Sequence, residues 1–145
     1  MTSIRKATAS DLDAVTSLLT ENKLPVAGVA DWIGNFLVAE SNDRIVGSIG
    51  VERYGDYMLL RSAAVARAEQ GKGIGSRLVD AILSDAQSAG AKAVFLLTTT
   101  ADGYFPPLGF EKIDRSTLPH ELDDSEELRG ACPSSATVMR KTIAL

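Results

Sequence analysis

The 145 residues predict a single domain, 1–145, long enough to bury its own core without metals or disulfides. One cysteine and one histidine exclude an internal disulfide and disfavour a metal site, and a net charge of −4 argues against sequence-independent nucleic-acid binding. Neither a secretory signal nor a membrane-spanning stretch is recognisable, so we expect a cytoplasmic protein without a membrane partner.

The first part of the chain predicts a strand, a helix and an irregular segment. The run SIRKA is typical of a short strand. Residues 10–22 follow as a helix, with Ser10 as the N-cap and apolar residues recurring at helical spacing. Residues 24–36 mix glycine, proline and apolar residues, which predicts a broken helical or irregular piece that contains Trp32.

Three strand-like runs come next, FLVAES, RIVGSIGVERY and YMLLRSAAVA. They are separated by Asn42-Asp43 and by Gly55-Asp56, pairs that tolerate the positive φ angles of tight hairpins. The pattern therefore predicts an antiparallel meander.

The second part of the chain alternates helix and strand. Apolar residues recur at helical spacing from Ile74 to Ala89, and Gly90 suits the C-terminal cap of that helix. The run AVFLLTTT predicts a strand that is covered on both faces. A short helix near Asp102–Leu108, a strand in FEKIDR, an acidic segment HELDDSEEL and a final strand in SATVMRKTI complete a mixed α/β layer structure.

The stretch QGKGIG lies between the third meander strand and the long helix. Gly71, Gly73 and Gly75 leave room for a ligand to approach the backbone, and the amides that open the helix favour an anion. We therefore expect a phosphate site with Lys72 and Arg77 at its rim, and a glycine-rich connection without a ligand is the alternative. The spacing fits neither a dinucleotide fingerprint nor a nucleoside-triphosphate loop.

The same stretch matches the pattern Q/R-x-x-G-x-G/A and resembles the coenzyme A loop of the Gcn5-related N-acetyltransferase (GNAT) superfamily. The segment LLTTTADGYFPPLGF resembles the second signature of that superfamily, a buried strand followed by a short helix that ends in Leu-Gly-Phe. The resemblance implies an α/β (α+β) fold with a mixed, mostly antiparallel sheet of about six to seven strands and helices on both faces. It also implies a V-shaped splay between the strands that end near Val65 and Thr98.

The resemblance implies that the cosubstrate, acetyl-CoA, fills that splay. Backbone groups of Ala64 and Val65 would bond the amides of pantetheine like an added strand, and the loop amides would hold the pyrophosphate. A backbone N–H near Val65 would stabilise the oxyanion when an amine attacks the acetyl carbon directly, without an acyl-enzyme. The residues implied to contact the cosubstrate are Ala64, Val65, Gln70, Gly71, Lys72, Gly73, Ile74, Gly75, Ser76, Thr98 and Phe105.

Direct attack requires a group that takes a proton from the attacking ammonium, because the nitrogen lone pair is otherwise occupied. Glu52 is the first candidate for this base, with Asp56 and Glu40 behind it. The alternative role for Glu52 is a surface carboxylate paired with Arg44 or Arg61.

The leaving thiolate receives its proton in this family from a tyrosine, at a position where this chain has Phe105. Its neighbour Tyr104, Ser62 or water could take that role instead. Thiolates leave readily, because their conjugate acids have a low pKa, so the change to phenylalanine does not exclude activity. Glu52 and Tyr104 are therefore the predicted catalytic residues.

The phrases LLRSAAV, LLTTTADGYFPPLGF and CPSSA further resemble a group of acetyltransferases associated with bacterial arsenic-resistance operons, in which phenylalanine also replaces the tyrosine. This resemblance implies a small acceptor that carries an arsenic or phosphorus oxyanion. Arg53 and Arg61 are the candidate clamps for it, because guanidinium matches such oxygens, and Trp32 and Ser62 are further pocket residues. A solvated strand end or an ion pair is the alternative for each arginine.

Two other functions stay open. A coenzyme-A-binding module without catalysis would have the same glycine loop, and a protein or peptide N-acetyltransferase would need an open groove. Members of the superfamily often form homodimers, in which the last strand could take part.

Overall fold

One seven-stranded sheet forms the centre of the molecule, with the strand order β1-β2-β3-β4-β5-β7-β6. The computed structural model describes residues 2–98, 105–125, 127–131 and 136–143. β4 and β5 run parallel, and the other neighbouring pairs are antiparallel. The strands are β1 (Thr2–Lys6), β2 (Phe36–Ser41), β3 (Arg44–Tyr54), β4 (Tyr57–Val65), β5 (Ala93–Thr98), β6 (Glu111–Ile113) and β7 (Thr137–Thr142).

Two helices cover opposite faces of the sheet. They are α1 (Leu12–Glu21) and α3 (Ile74–Ser88), and a third, short helix, α2 (Val29–Trp32), precedes β2 in the chain. Phe36 and Val38 of β2 pack with α1, whereas Leu37 and Ala39 pack with α3, because consecutive side chains of a strand point to opposite faces. These observations confirm the mixed, mostly antiparallel sheet with helices on both faces. Within the described residues, no helix has both the length and the apolar character needed to cross a membrane.

The meander prediction is confirmed, with both turns at the expected pairs. Asn42 and Asp43 have φ angles of 52° and 63° between β2 and β3, and Gly55 has a φ of 64° between β3 and β4. Short polar side chains and glycine adopt this left-handed conformation at the lowest cost. The local sequence therefore places the two turns that connect β2, β3 and β4.

The predicted N-cap at Ser10 is wrong. Residues Ala9–Asp11 form a 3-10 turn that leads into α1, so Ser10 lies inside this turn. The turn begins after Thr8, whose N–H donates to the Asp11 carboxylate over 2.8 Å. Arg5 also binds that carboxylate, at 2.8 Å, and this contact from β1 favours Asp11 over Ser10 as the polar residue that starts the helix.

The remaining elements follow the predicted order. Gly90, with a φ of 80°, follows α3 as expected, and β5 is buried as expected for a central strand. The predicted helix near Asp102–Leu108 contains a 3-10 turn at Pro106–Leu108, and its first residues lie outside the described part of the chain. The acidic segment forms a 3-10 turn at His120–Leu122 and a π-helical turn at Glu127–Ala131.

β4 and β5 separate after a short parallel ladder. Their pairing ends at Leu60↔Leu96, although β4 continues to Val65 and β5 to Thr98. The β3–β4 register also shifts opposite this point, and Ser62 has a φ of 60°, which together indicate a β-bulge in β4. Because a bulge bends and twists its strand, it directs the end of β4 away from β5.

Candidate active site

A cavity of ≈ 1190 Å³ lies at the separation of β4 and β5 and extends along the glycine loop to the start of α3. The ends of the two strands, the glycine loop and the start of α3 therefore enclose one space, and most of the predicted site residues line it. The predicted residues that line it are Arg61, Ser62, Ala64, Val65, Gln70, Gly71, Gly73, Ile74, Gly75, Ser76, Thr98 and Phe105.

The glycine loop presents open backbone to the cavity. Gly71 and Gly73 both have a φ of 83°, and a Cβ at either position would meet no atom within 4 Å. Gly73 caps α3, whose first amides have no acceptor within the helix. The positive end of the helix dipole lies at the same place, so the loop can accept an anion.

Side chains of the loop fix it to the rest of the fold. Gln70 donates from Nε2 to the carbonyl oxygen of Val65 over 3.0 Å, which fastens the loop to the end of β4. Lys72 is not among the residues that line the cavity, and its ammonium lies 3.4 Å from Glu69. Arg77 donates to the carbonyl oxygen of Thr2 over 3.2 Å.

Arg61 lies just beyond the last β4–β5 pair, and its side chain is 0% exposed. Its Nη1 donates to Glu52 over 2.6 Å, its Nε to Ser62 Oγ over 3.0 Å and its Nη2 to the Pro25 carbonyl oxygen over 3.3 Å. A second carboxylate, Glu127, lies 3.6 Å from Nε. Arg61 thus ties β3, β4, the loop after α1 and the π-helical turn together.

Glu52 is buried next to the cavity but does not line it. Its second oxygen accepts a hydrogen bond from the Tyr54 hydroxyl over 2.5 Å. Burial, and then this bond to Glu52, raises the pKa of Tyr54 above its usual range, so Tyr54 keeps its proton and donates it. The ion pair between Glu52 and Arg61 agrees with the alternative role of Glu52, except that the pair lies in the interior and not at the surface.

Trp32 and Arg53 lie outside the cavity lining. Trp32 packs edge-on against Tyr54, with ring centroids 5.5 Å apart. Arg53 donates from Nε to the carbonyl oxygen of Gly55 over 3.0 Å. Tyr104 lies outside the described residues.

Phe105, which stands where the family has its tyrosine, and the two further candidates for the base, Glu40 and Asp56, have identifiable neighbours. Phe105 lines the cavity and packs edge-on against Phe110, at 5.6 Å between centroids. The carboxylate of Glu40 lies 3.3 Å from Arg5, and that of Asp56 lies 3.4 Å from Lys92. Neither carboxylate lines the cavity.

Several lining residues were not predicted. Glu127 comes from the acidic segment, in which the sequence pattern did not single out any residue. The loop after α1 contributes residues 22–25, and Ser48 of β3 lines the cavity and donates to the Ser62 carbonyl oxygen over 2.8 Å. No local motif marks these positions, because only the packing of distant segments brings them to the cavity.

Comparison with known proteins agrees with this geometry. The sequence profile of the acetyltransferase (GNAT) domain matches residues 32–112, more than half of the chain. An uncharacterised N-acetyltransferase of Chlorobaculum tepidum is 28% identical over 130 residues, which cover 83% of each chain. The profile match includes the meander, the glycine loop, α3 and β5.

Solved structures share the fold. N-acetylglutamate synthase from Neisseria gonorrhoeae, solved with coenzyme A and N-acetyl-glutamate, has a TM-score of 0.85 at 21% identity; the match covers 100% of this chain and 36% of the synthase. A GNAT acetyltransferase from Staphylococcus aureus has a TM-score of 0.81 at 17% identity, with 99% of each chain covered. A Mycobacterium tuberculosis protein solved with coenzyme A has a TM-score of 0.80 at 23% identity, with 97% of this chain and 98% of that chain covered. The chain has the glycine loop and the splayed strands, and the profile match spans both. It therefore belongs to the GNAT acetyltransferase family.

Proposed function

We propose that this chain transfers the acetyl group of acetyl-CoA to the amine of a small molecule, by direct attack in a ternary complex. The observation that carries the proposal is the cavity of ≈ 1190 Å³ that the ends of β4 and β5 share with the glycine loop. Acetyl transfer from acetyl-CoA is the reaction of the family to which the chain belongs. What we propose beyond this reaction is that the acceptor is a small molecule and that individual residues have the roles described below.

The space between β4 and β5 suits the pantetheine arm. The ladder between them ends at Leu60↔Leu96, so an extended ligand with amide groups can lie between the strands as an added strand does. Ala64 and Val65 line this space on the β4 side, and Thr98 lines it on the β5 side. The bond from Gln70 to Val65 keeps the end of β4 next to the loop.

The glycine loop suits the diphosphate of coenzyme A. The open space at Gly71 and Gly73 lets phosphate oxygens approach the backbone, and the first residues of α3, where a helix has amides without acceptors of its own, line the same cavity. The residues from Gln70 to Ser76 that line the cavity would then hold the diphosphate as the sequence predicts. Lys72 would act at the rim only after leaving Glu69.

The transfer step balances without a covalent enzyme intermediate. The acceptor ammonium first loses one proton to a base, and the neutral nitrogen forms a bond to the acetyl carbon while the carbon–sulfur bond breaks. The nitrogen then loses a second proton and the thiolate takes one up, so the products are an amide, coenzyme A as its thiol and one released proton. Glu52 as the base and Tyr104 as the acid stay predictions. Because Glu52 is buried and does not line the cavity, it would exchange protons with the amine through an intervening group such as water.

Arg61 and Ser62 are the proposed acceptor-binding residues of the cavity. Arg61 and Ser62 line the cavity where β4 leaves β5, which supports a position next to the acceptor. Trp32 and Arg53 as pocket residues, the arsenic-related acceptor and a homodimer stay predictions.

Calorimetry with acetyl-CoA, followed by assays of free thiol, tests the proposal. We expect binding at micromolar concentration and thiol release with n-propylamine or another small primary amine. A peptide with an N-terminal alanine is the comparison acceptor. Thiol release with the peptide but not with the small amine would show that the acceptor is a protein or peptide and not a small molecule. Binding without thiol release from any amine would indicate a non-catalytic module, and no binding at millimolar acetyl-CoA would refute the proposal.

A further inference from the structure

Ser48 places a hydroxyl group in the interior of the sheet. It lies in the middle of β3 and is 0% exposed, and its neighbours Gly47 and Ile49 are buried as well. A hydroxyl that is removed from water costs free energy unless it has a hydrogen-bond partner. Its partner here is the backbone of the next strand, because Ser48 Oγ donates to the carbonyl oxygen of Ser62 over 2.8 Å. A buried hydroxyl therefore links β3 to one particular peptide group of β4.

This bond lies at the point where the β3–β4 ladder is irregular. Ser48 pairs with Ala64, whereas the residue two positions further along β3, Gly50, pairs with Arg61. One residue of β3 therefore stands opposite two residues of β4. Such a β-bulge disrupts the ladder locally and leaves the extra residue without a regular pair. The Ser48 hydroxyl supplies a donor to β4 at this interruption.

Ser62 adopts a conformation that its own side chain does not favour. Its φ of 60° lies in the left-handed region, where a bulge usually has glycine. Such a residue keeps its conformation only when the surrounding structure holds it. Two contacts hold Ser62: Ser48 binds its carbonyl oxygen, and Arg61 Nε donates to its hydroxyl over 3.0 Å. Of these two contacts, the one from Ser48 acts on the backbone, so it fixes the orientation of the peptide group that follows Ser62.

The orientation of that peptide group decides the course of the rest of β4. The β4–β5 ladder has ended at Leu60↔Leu96, and the residues from Ser62 to Val65 line the cavity. If Ser62 returned to an extended conformation, β4 would continue along β5 and occupy the space proposed for pantetheine. The left-handed conformation of Ser62 therefore keeps the cavity open.

We infer that Ser48 is a positioning residue for the cosubstrate: its hydroxyl holds the Ser62 carbonyl and thereby maintains the bulge that opens the cavity for acetyl-CoA. The inference rests on the proposed position of pantetheine between β4 and β5. Ser48 acts through Ser62 in this role, because a serine hydroxyl has one hydrogen to donate and the Ser62 carbonyl receives it.

Calorimetry with acetyl-CoA, combined with a second substitution in β4, tests the inference. Ser48→Ala should weaken acetyl-CoA binding at least about fivefold, because the apparent dissociation constant rises as the binding-competent conformation becomes less populated. In a protein that carries Ser62→Gly, adding Ser48→Ala should change the affinity by less than about twofold, because glycine adopts the left-handed conformation without support. An equal loss of affinity in both backgrounds, or no loss in either, would overturn the inference.

A second buried serine separates positioning from a general loss of stability. Ser125 is also 0% exposed, and its hydroxyl accepts a hydrogen bond from a backbone amide, that of Glu127, over 3.2 Å. Ser125→Ala should lower the free energy of unfolding in urea denaturation while its acetyl-CoA affinity stays within about twofold of the unmodified protein. A loss of affinity as large as that of Ser48→Ala would show that any buried hydroxyl has this effect, and it would overturn the inference.

The φ angle of Ser62 can be followed without a ligand. The three-bond coupling constant between its amide and α protons depends on φ, and in Ser48→Ala it should move from the left-handed value of the unmodified protein towards that of an extended residue. An unchanged coupling constant would overturn the inference. Failure of the unmodified protein to bind acetyl-CoA would count against the proposed function, and the coupling constant would still decide whether Ser48 maintains the bulge. Ser48→Cys keeps a weaker donor in a side chain of similar shape, so it should give an intermediate result, and it replaces Ser48→Ala if that variant does not fold.

Discussion

Glu52 and Arg61 form an ion pair in the interior of the sheet, where neither side chain reaches solvent. Removing two charges from water is costly, and this cost is offset only when the geometry is good and the remaining polar atoms have partners. Tyr54, Ser62 and the Pro25 carbonyl oxygen provide those partners. The pair is therefore stable as a unit, and the loss of one partner leaves the other charge buried.

Glu52→Gln should lower the stability of the folded protein. The guanidinium of Arg61 loses its closest counter-charge, so the free energy of unfolding should fall by about 3 kcal/mol in urea denaturation. Glu40→Gln is the matched control, because Glu40 also lies on a strand and faces an arginine but is 32% exposed. The control should lose less than about 1 kcal/mol, and an equal loss in both variants would contradict the importance of burial.

Asp11 should make the stability of the protein depend on acidity. The hydrogen bond from Arg5, followed by that from the Thr8 backbone, holds the pKa of Asp11 well below its usual value. A carboxyl with a depressed folded pKa contributes stability above its unfolded pKa of about 3.9, and that contribution is lost as the pH falls further. Denaturation midpoints measured between pH 6 and pH 2 should therefore fall less steeply for Asp11→Asn than for the unmodified protein. Parallel curves for the two proteins would contradict this role.

At the scale of elements, the site depends on two interruptions of regular structure. The bulge at Ser62 directs the end of β4 away from β5, and the left-handed glycines allow the chain to turn into α3, whose first residues line the cavity. A regular strand would have continued the ladder past Leu60↔Leu96 and closed the cavity. The irregular positions therefore create the space for a ligand.

Gly73→Ala should weaken acetyl-CoA binding at least about tenfold, because the new methyl group enters the open space of the loop and the residue retains a strained φ of 83°. Gly90→Ala is a matched control at the other end of α3, with a φ of 80° and equally open surroundings. Both variants should lose about 1 kcal/mol of stability, whereas only Gly73→Ala should lose affinity in calorimetry. Equal affinities would show that the loop does not contact the cosubstrate.

At the scale of the whole molecule, two parts of the sheet meet at a narrow junction. β1 to β4 form one part, with α1 and α3 on its faces, and β5, β7 and β6 form the other. The register pairs from Tyr57↔Ala93 to Leu60↔Leu96 join the two parts directly. A ligand in the cavity contacts residues of both parts, so binding should stabilise the folded molecule as a whole.

Acetyl-CoA should raise the melting temperature by about 5–10 °C at a concentration of one hundred times its dissociation constant. The physical reason is that the ligand binds the folded chain and not the unfolded one. Scanning calorimetry with and without acetyl-CoA measures the effect, and Gly73→Ala at the same ligand concentration should show a smaller rise. A melting temperature that does not change, despite binding shown by calorimetry, would show that acetyl-CoA also binds the unfolded chain and would contradict a site that requires the folded sheet.

Local patterns were sufficient to predict much of the fold and one part of the site. The hairpin at Asn42-Asp43, helix α3 with Gly90 and the loop with Gly71 and Gly73 were predicted because each depends on neighbouring residues alone. The N-cap at Ser10 was wrong because Arg5, on another strand, binds Asp11. The partners of Arg61 could not be assigned in the same way, because the sequence did not show which strands would be adjacent.

The sequence by itself determined the order of strands and helices, the turns and the glycine loop, because backbone preferences and hydrophobic periodicity act over a few residues. Only the tertiary structure decided that Glu52 and Arg61 pair in the interior and that Glu127 joins them at the cavity. It also decided where the β4–β5 ladder ends and a cavity begins. These features depend on contacts between segments far apart in the chain, where burial raises the cost of every unpaired charge and selects the arrangement that satisfies it.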